Sequence, residues 1–133
     1  MSCNEWIIVS PYFLPIRHKE TPDKKVAINF NVMKTWNFIT YDTYKKFYKD
    51  LMKTYISWLK DLDKIEIEYK VFYWKNKPDG MNLISATSKF FLDTLVEEWC
   101  IKDDDVEHVL SEKWIVWWKD IWNERIEILI TKI

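Results

Sequence analysis

Residues 75–109 hold the side chains best suited to chemistry: Asp79 and Asn82, then Lys89 and Asp93 on a helical stretch, then Asp103, Asp104 and Asp105 in succession. Carboxylates gathered at one point repel one another and rarely stay buried without a counter-ion. A divalent cation is the usual counter-ion, and Mg²⁺ takes one or two carboxylates together with water and substrate phosphate. The order predicts that separated carboxylates and a lysine meet at one end of a helix. That would be a metal-dependent phosphodiester site, with Lys89 stabilising charge on the phosphate. The competing reading of the same spacing is a helix flanked by solvated acidic loops. In that reading Lys89 and Asp93 form a simple i,i+4 ion pair worth ~0.3 kcal/mol, and Asn82 only caps the helix.

Other chemistries find little support. His18 and His108 are isolated, and no Ser-His-Asp, P-loop or GxGxxG pattern occurs. Cys3 and Cys100 make neither a disulfide framework nor a zinc pattern; Cys100 follows an apolar helix and is expected to be a packed thiol.

The elements that must position these residues follow from periodicity. Residues 6–10 read as a short apolar strand, after which Pro11 and Pro15 interrupt regular structure. A long irregular stretch follows to about residue 40, with a short strand expected within 27–33. Asp42 is the expected N-cap of a helix to about residue 62. Tyr44, Phe47, Leu51, Tyr55, Trp58 and Leu62 recur at helical spacing and predict its core face, with Lys45, Lys46, Lys49 and Lys53 in solvent. Residues 65–74 alternate as a half-buried strand, and residues 75–80 suit a turn. A second helix is expected over 82–99, packing Leu83, Phe90, Phe91, Thr94, Leu95 and Trp99. Two strands follow, within 106–118 and over 125–131. The apolar run 114–118 predicts that both faces of its strand are covered, by the core or by a dimer partner. The fold class expected is α+β, a small mixed sheet carrying two main helices.

The chain has 133 residues, and that length predicts a single domain over 1–133. One glycine and 48% hydrophobic residues argue against disorder. Nine tryptophans permit either a bulky core or an aromatic interaction surface. A net charge of -1 is low for a DNA-binding protein, so any phosphate contact must use local lysines such as Lys24, Lys25, Lys34, Lys75 and Lys77. No apolar run reaches membrane-span length and no signal-peptide core is seen at the N-terminus. A cytoplasmic protein without a membrane partner is therefore expected.

Taken together, the motifs of residues 75–109 resemble the RusA-type Holliday junction (crossover junction) endodeoxyribonucleases, small proteins typical of phages and prophages. The basic turn is Lys75-Asn76-Lys77-Pro78, and Asp79-Gly80-Met81-Asn82 stands at the family's Asp-x-Asp-Asn. The helical motif is Lys89-Phe90-Phe91-Leu92-Asp93-Thr94-Leu95, closed by Asp103-Asp104. Upstream, residues 29–34 resemble the loop that lies near the substrate. The resemblance implies a homodimer that embraces a four-way DNA junction and nicks two strands symmetrically with Mg²⁺ or Mn²⁺. It implies Asp79, Asp103 and Asp104 as metal ligands, and Asp79, Lys89 and Asp104 as the catalytic set. Asn31, Lys34, Lys75 and Lys77 would contact DNA, with Asn82 and Asp93 in support. Met81 replaces the second acid of the motif, and a thioether is a poor ligand for a hard cation. Two other functions fit the residues: a relative that binds branched DNA without cutting it, and a tryptophan-rich protein-interaction module.

Overall fold

A computed structural model describes residues 4–17, 25–28, 37–73, 80–120 and 123–133. Its elements are β1 (Glu5–Pro11), β2 (Phe13–Arg17), β3 (Lys25–Ala27), α1 (Phe38–Ile56), β4 (Ile65–Tyr73), α2 (Gly80–Glu97), β5 (Val109–Lys119) and β6 (Arg125–Lys132). Four strands form one mixed sheet in the order β1-β6-β4-β5, with β4 and β5 parallel and the other neighbours antiparallel. β2 and β3 pair as a separate ribbon. The α+β class is as expected. The ribbon is an addition to the expected order, since β2 runs through Pro15. Its register shifts between Leu14 and Arg17, where a proline that cannot donate is tolerated.

Alternation builds the core. Ile65, Ile67, Tyr69 and Val71 of β4 are buried, as are Ile126, Ile128 and Ile130 of β6 and Ile8 and Ser10 of β1. These residues share one face of the sheet, and both helices lie on that face. α2 supplies Leu83, Phe90, Phe91 and Leu95 to the core. Two hydroxyl contacts pin helices to strands. The Tyr48 and Ser10 hydroxyls lie 2.7 Å apart, fully buried. On the other side, Tyr69 and Ser88 both donate to Glu112 Oε2, at 2.8 and 2.6 Å.

α1 departs from expectation at both ends and in its buried face. Its N-cap is Asn37, whose side chain accepts from Thr40 N at 2.8 Å; Asp42 sits inside the helix and pairs with Lys46. The helix ends at Ile56, short of the expected residue 62. Its core face is Tyr48, Met52 and Ile56; of the expected stripe Leu62 is buried and Tyr44 packs against the core, whereas Phe47, Tyr55 and, beyond the helix, Trp58 are 36%, 56% and 58% exposed. α1 is apolar over more than half its circumference, so periodicity alone could not choose the face. Lys45 and Lys49, expected in solvent, are turned toward α2 and paired there.

α2 ends in a Schellman turn. The N–H of Trp99 donates to Val96 O and that of Cys100 to Leu95 O, at 3.1 and 2.9 Å. Trp99 therefore takes the left-handed position, with φ 63°, which favours glycine. Its indole, expected in the core, is 78% exposed, while Cys100 turns inward. The Cys100 thiol is buried against Ile56 O at 3.2 Å, and burial pushes its pKa up to about 11. Trp99→Gly should stabilise the fold by about 1 kcal/mol, because it relieves the left-handed penalty and gives up little buried area. Urea unfolding of the two proteins checks this, and a loss of stability would show that the exposed indole makes contacts that matter.

Candidate functional site

The unit that positions the acidic and basic residues is β4-α2-β5, a parallel crossover. β4 carries the chain up to Tyr73, α2 returns it, and β5 starts again beside Ile65. Lys89 is exposed on α2, and Asp93 follows one turn later. Asp93 pairs with Lys45 of α1 at 3.2 Å, not with Lys89, and Lys45 also reaches Glu97 at 3.8 Å. Lys49 completes this seam by pairing with Glu97 at 2.9 Å. The seam ties the two helices together and leaves the Lys89 ammonium in solvent.

The acidic turn lies beyond the C-terminal end of α2. Asp105 is its structural member. Its carboxylate accepts from the backbone N–H groups of Glu107 and His108 and lies 2.6 Å from His108 Nδ1. The His108 contact, chiefly, holds the Asp105 carboxyl below the usual range. His108 O in turn accepts from Ile65 N at 2.8 Å, fixing the turn to the start of β4. Asp103 and Asp104 project from this frame. Asp103 Oδ1 accepts from Asp104 N at 2.8 Å. The Asp104 carboxyl is raised above the ordinary carboxylate range, first by desolvation, then by its hydrogen bond with Asp103, with the charges of Asp103 and Asp93 adding. Asp93 likewise helps burial raise the Tyr41 phenol, whose buried hydroxyl has no hydrogen-bond partner among the described residues.

The structure thus brings Asp93, Asp103 and Asp104 within electrostatic reach of one another. Of the predicted metal ligands, Asp103 and Asp104 are among the described residues. α2 opens at Gly80, and Asp103 follows its other end; the 18 residues of α2 span about 27 Å. Asp79, Asn31, Lys34, Lys75 and Lys77 lie outside the described residues, as do Cys3 and His18. Asn82 falls in the first turn of α2. Among the described residues no group of three or more His, Cys, Asp or Glu side chains is placed to hold a metal ion. Lys45 and Tyr41 of α1 were not expected beside Asp93; their spacing of four, one helical turn, was the available sign.

A double-mutant cycle between Lys45→Met and Asp93→Asn should give a coupling energy of about 0.5–1 kcal/mol, as befits a half-exposed pair. Additive effects would mean that the pair only decorates the seam.

The chain matches no protein-family model, and no curated protein is significantly similar to it. No helix among the described residues is long and apolar enough to cross a membrane.

Proposed function

We propose that this chain is a RusA-like, metal-dependent, structure-selective endodeoxyribonuclease that acts as a homodimer on four-way DNA junctions. The observation that carries the reading is the acidic turn. Asp103 and Asp104 stand side by side, and Asp104 is held above the ordinary carboxylate range by desolvation and by its acidic neighbours. A cation relieves that repulsion, and two hard carboxylate donors suit Mg²⁺ or Mn²⁺. Asp103 and Asp104 would hold the metal. The bound metal would polarise phosphate and lower the pKa of water. Lys89, exposed on α2, would neutralise charge on the phosphate in the transition state. Lys34, Lys75, Lys77 and Asn31 would carry the DNA backbone, and Asn82 and Asp93 would support the site.

A second reading has its own support. A protein that binds branched DNA without cutting it agrees with Met81 in place of an acid. It agrees also with the helix length that separates Gly80 from the Asp103–Asp104 pair.

One experiment separates the two. A labelled mobile junction is incubated with Mg²⁺ or Mn²⁺ and with EDTA, beside linear duplex of matching sequence. Paired, symmetric, metal-dependent nicks confined to the junction support the nuclease. Salt-sensitive binding without nicks supports the second reading. Neither binding nor nicks rejects both.

A further inference from the structure

We propose that the cavity at the shared C-terminal end of α1 and α2 binds a small organic cation, a primary ammonium carried on an apolar body. The inference goes beyond the nuclease reading and does not depend on it.

The cavity has a volume of about 590 Å³, within the usual size range of small-molecule sites. Packing between distant segments builds it. The ion pairs Lys45–Asp93 and Lys49–Glu97 and the contact of the Cys100 thiol with Ile56 O advance along both helices together. The helices are therefore parallel and end side by side. Leu62 N donates to Cys100 O at 2.9 Å, which lays the segment after α1 across the end of α2. That segment brings Asp61 and Asp63 to the cavity, and the acidic turn brings His108.

The polar lining selects a cation. Asp61 and Asp63 are exposed and make no ion pair among the described residues. Glu97 adds a carboxylate already shared with Lys45 and Lys49, and Lys102 supplies the one ammonium of the lining. Two helix C-termini add the negative ends of their dipoles. His108 Nδ1 lies 2.6 Å from the Asp105 carboxylate, so in the neutral ring the other nitrogen is an acceptor. An ammonium brings three N–H donors to such acceptors. A metal ion is the poorer match, because among the described residues no three His, Cys, Asp or Glu side chains are gathered to hold one.

The apolar lining, Val96, Ile101 and Trp99, selects the body that carries the charge. Trp99 is the informative residue. Its indole is held outward from a left-handed position that destabilises an L-residue by roughly 1 kcal/mol. Asp61 and Asp63 take the same region, at φ 52° and 61°. Among the described residues these are the three non-glycine positions of positive φ, and all three line the same cavity. Strained positions concentrate at ligand sites. An indole beside carboxylates offers its face to a cation while the carboxylates offer charge.

The test uses the full chain without DNA or metal, so its failure is separate from failure of the nuclease reading. Three probes share one apolar body: phenethylamine, neutral phenylethanol and anionic phenylacetate. Calorimetry at neutral pH should show saturable binding of phenethylamine, at least about tenfold tighter than either counterpart and weakened by salt. NMR should place the shifts on the Trp99 indole, the His108 ring and the Asp61 and Asp63 amides. Asp61→Asn combined with Asp63→Asn should weaken binding at least about tenfold, and asparagine tolerates the left-handed region, so the fold is kept. Trp99→Gly should weaken binding while raising the urea midpoint, a split that a structural role alone would not give. No saturable binding of phenethylamine overturns the proposal. So do equal affinities for the three probes, shifts that fall outside the cavity, or variants that bind as wild type does.

Discussion

Asp104→Asn should lower metal-dependent junction cleavage by about 10²–10³-fold while leaving junction binding and fold intact. The change keeps shape and removes the charge that a cation would meet. Stability should move the other way. The folded pKa of Asp104 is raised, so its contribution to stability is fully present below the ordinary carboxylate pKa. It is lost as pH rises through the raised value. At neutral pH the ionised carboxylate therefore works against folding beside Asp103 and Asp93, and the Asn variant should melt no lower than wild type. Mg²⁺ should raise the melting temperature of wild type more than that of the variant, a readout independent of turnover. Asp105 has the opposite sign: its pKa is lowered, so its contribution is present above the ordinary carboxylate pKa and fades as pH falls through its folded value. Unchanged cleavage by Asp104→Asn would remove the acidic turn from the site. An equal Mg²⁺ response in both proteins would remove Asp104 from any metal.

Phe90→Ala should destabilise the fold by about 3–5 kcal/mol, the usual range for deleting a fully buried aromatic. Phe90 is fully buried where α2 meets α1. Tyr48 and Tyr41 lie against it with ring centroids at 5.5 and 5.7 Å. The lost area, the cavity and two aromatic contacts all act in the same direction. Because such a loss rivals the whole stability of a domain this size, Phe90→Leu provides the measurable companion, with an expected loss below ~1.5 kcal/mol. Urea midpoints for both variants decide the matter. A loss under ~1 kcal/mol for Phe90→Ala would mean that the helix layer is not held through this ring.

Some features were legible in the sequence because their cause is local. The alternation of β4 and β6 is a consequence of side chains pointing to opposite faces, and burial follows it residue by residue. Leu83, Phe90, Phe91 and Leu95 fall on the buried side of α2 because that helix has one apolar stripe. Cys100 as a packed thiol follows equally from neighbours in the chain.

Other features depended on contacts between distant segments. α1 has two apolar flanks, and the one that is buried packs Tyr48, Met52 and Ile56 into the core, with Lys45 and Lys49 meeting Asp93 and Glu97 of another helix. Trp99 reads as core by composition, yet the Schellman turn places it at the left-handed position, where the chain reverses and its indole points outward. Asp93 reads as a partner of Lys89 by spacing, but the nearer cation arrived from α1. A helix converts sequence distance into length at about 1.5 Å per residue, so α2 holds its two ends apart. The sequence by itself determined the α+β class, the strands that alternate and the chemistry available in the acidic turn, since each rests on local periodicity or residue type. Only the tertiary structure decided which helix face is buried, which lysine meets Asp93 and which apolar residues remain on the surface, because those outcomes are set by packing between segments far apart in the chain.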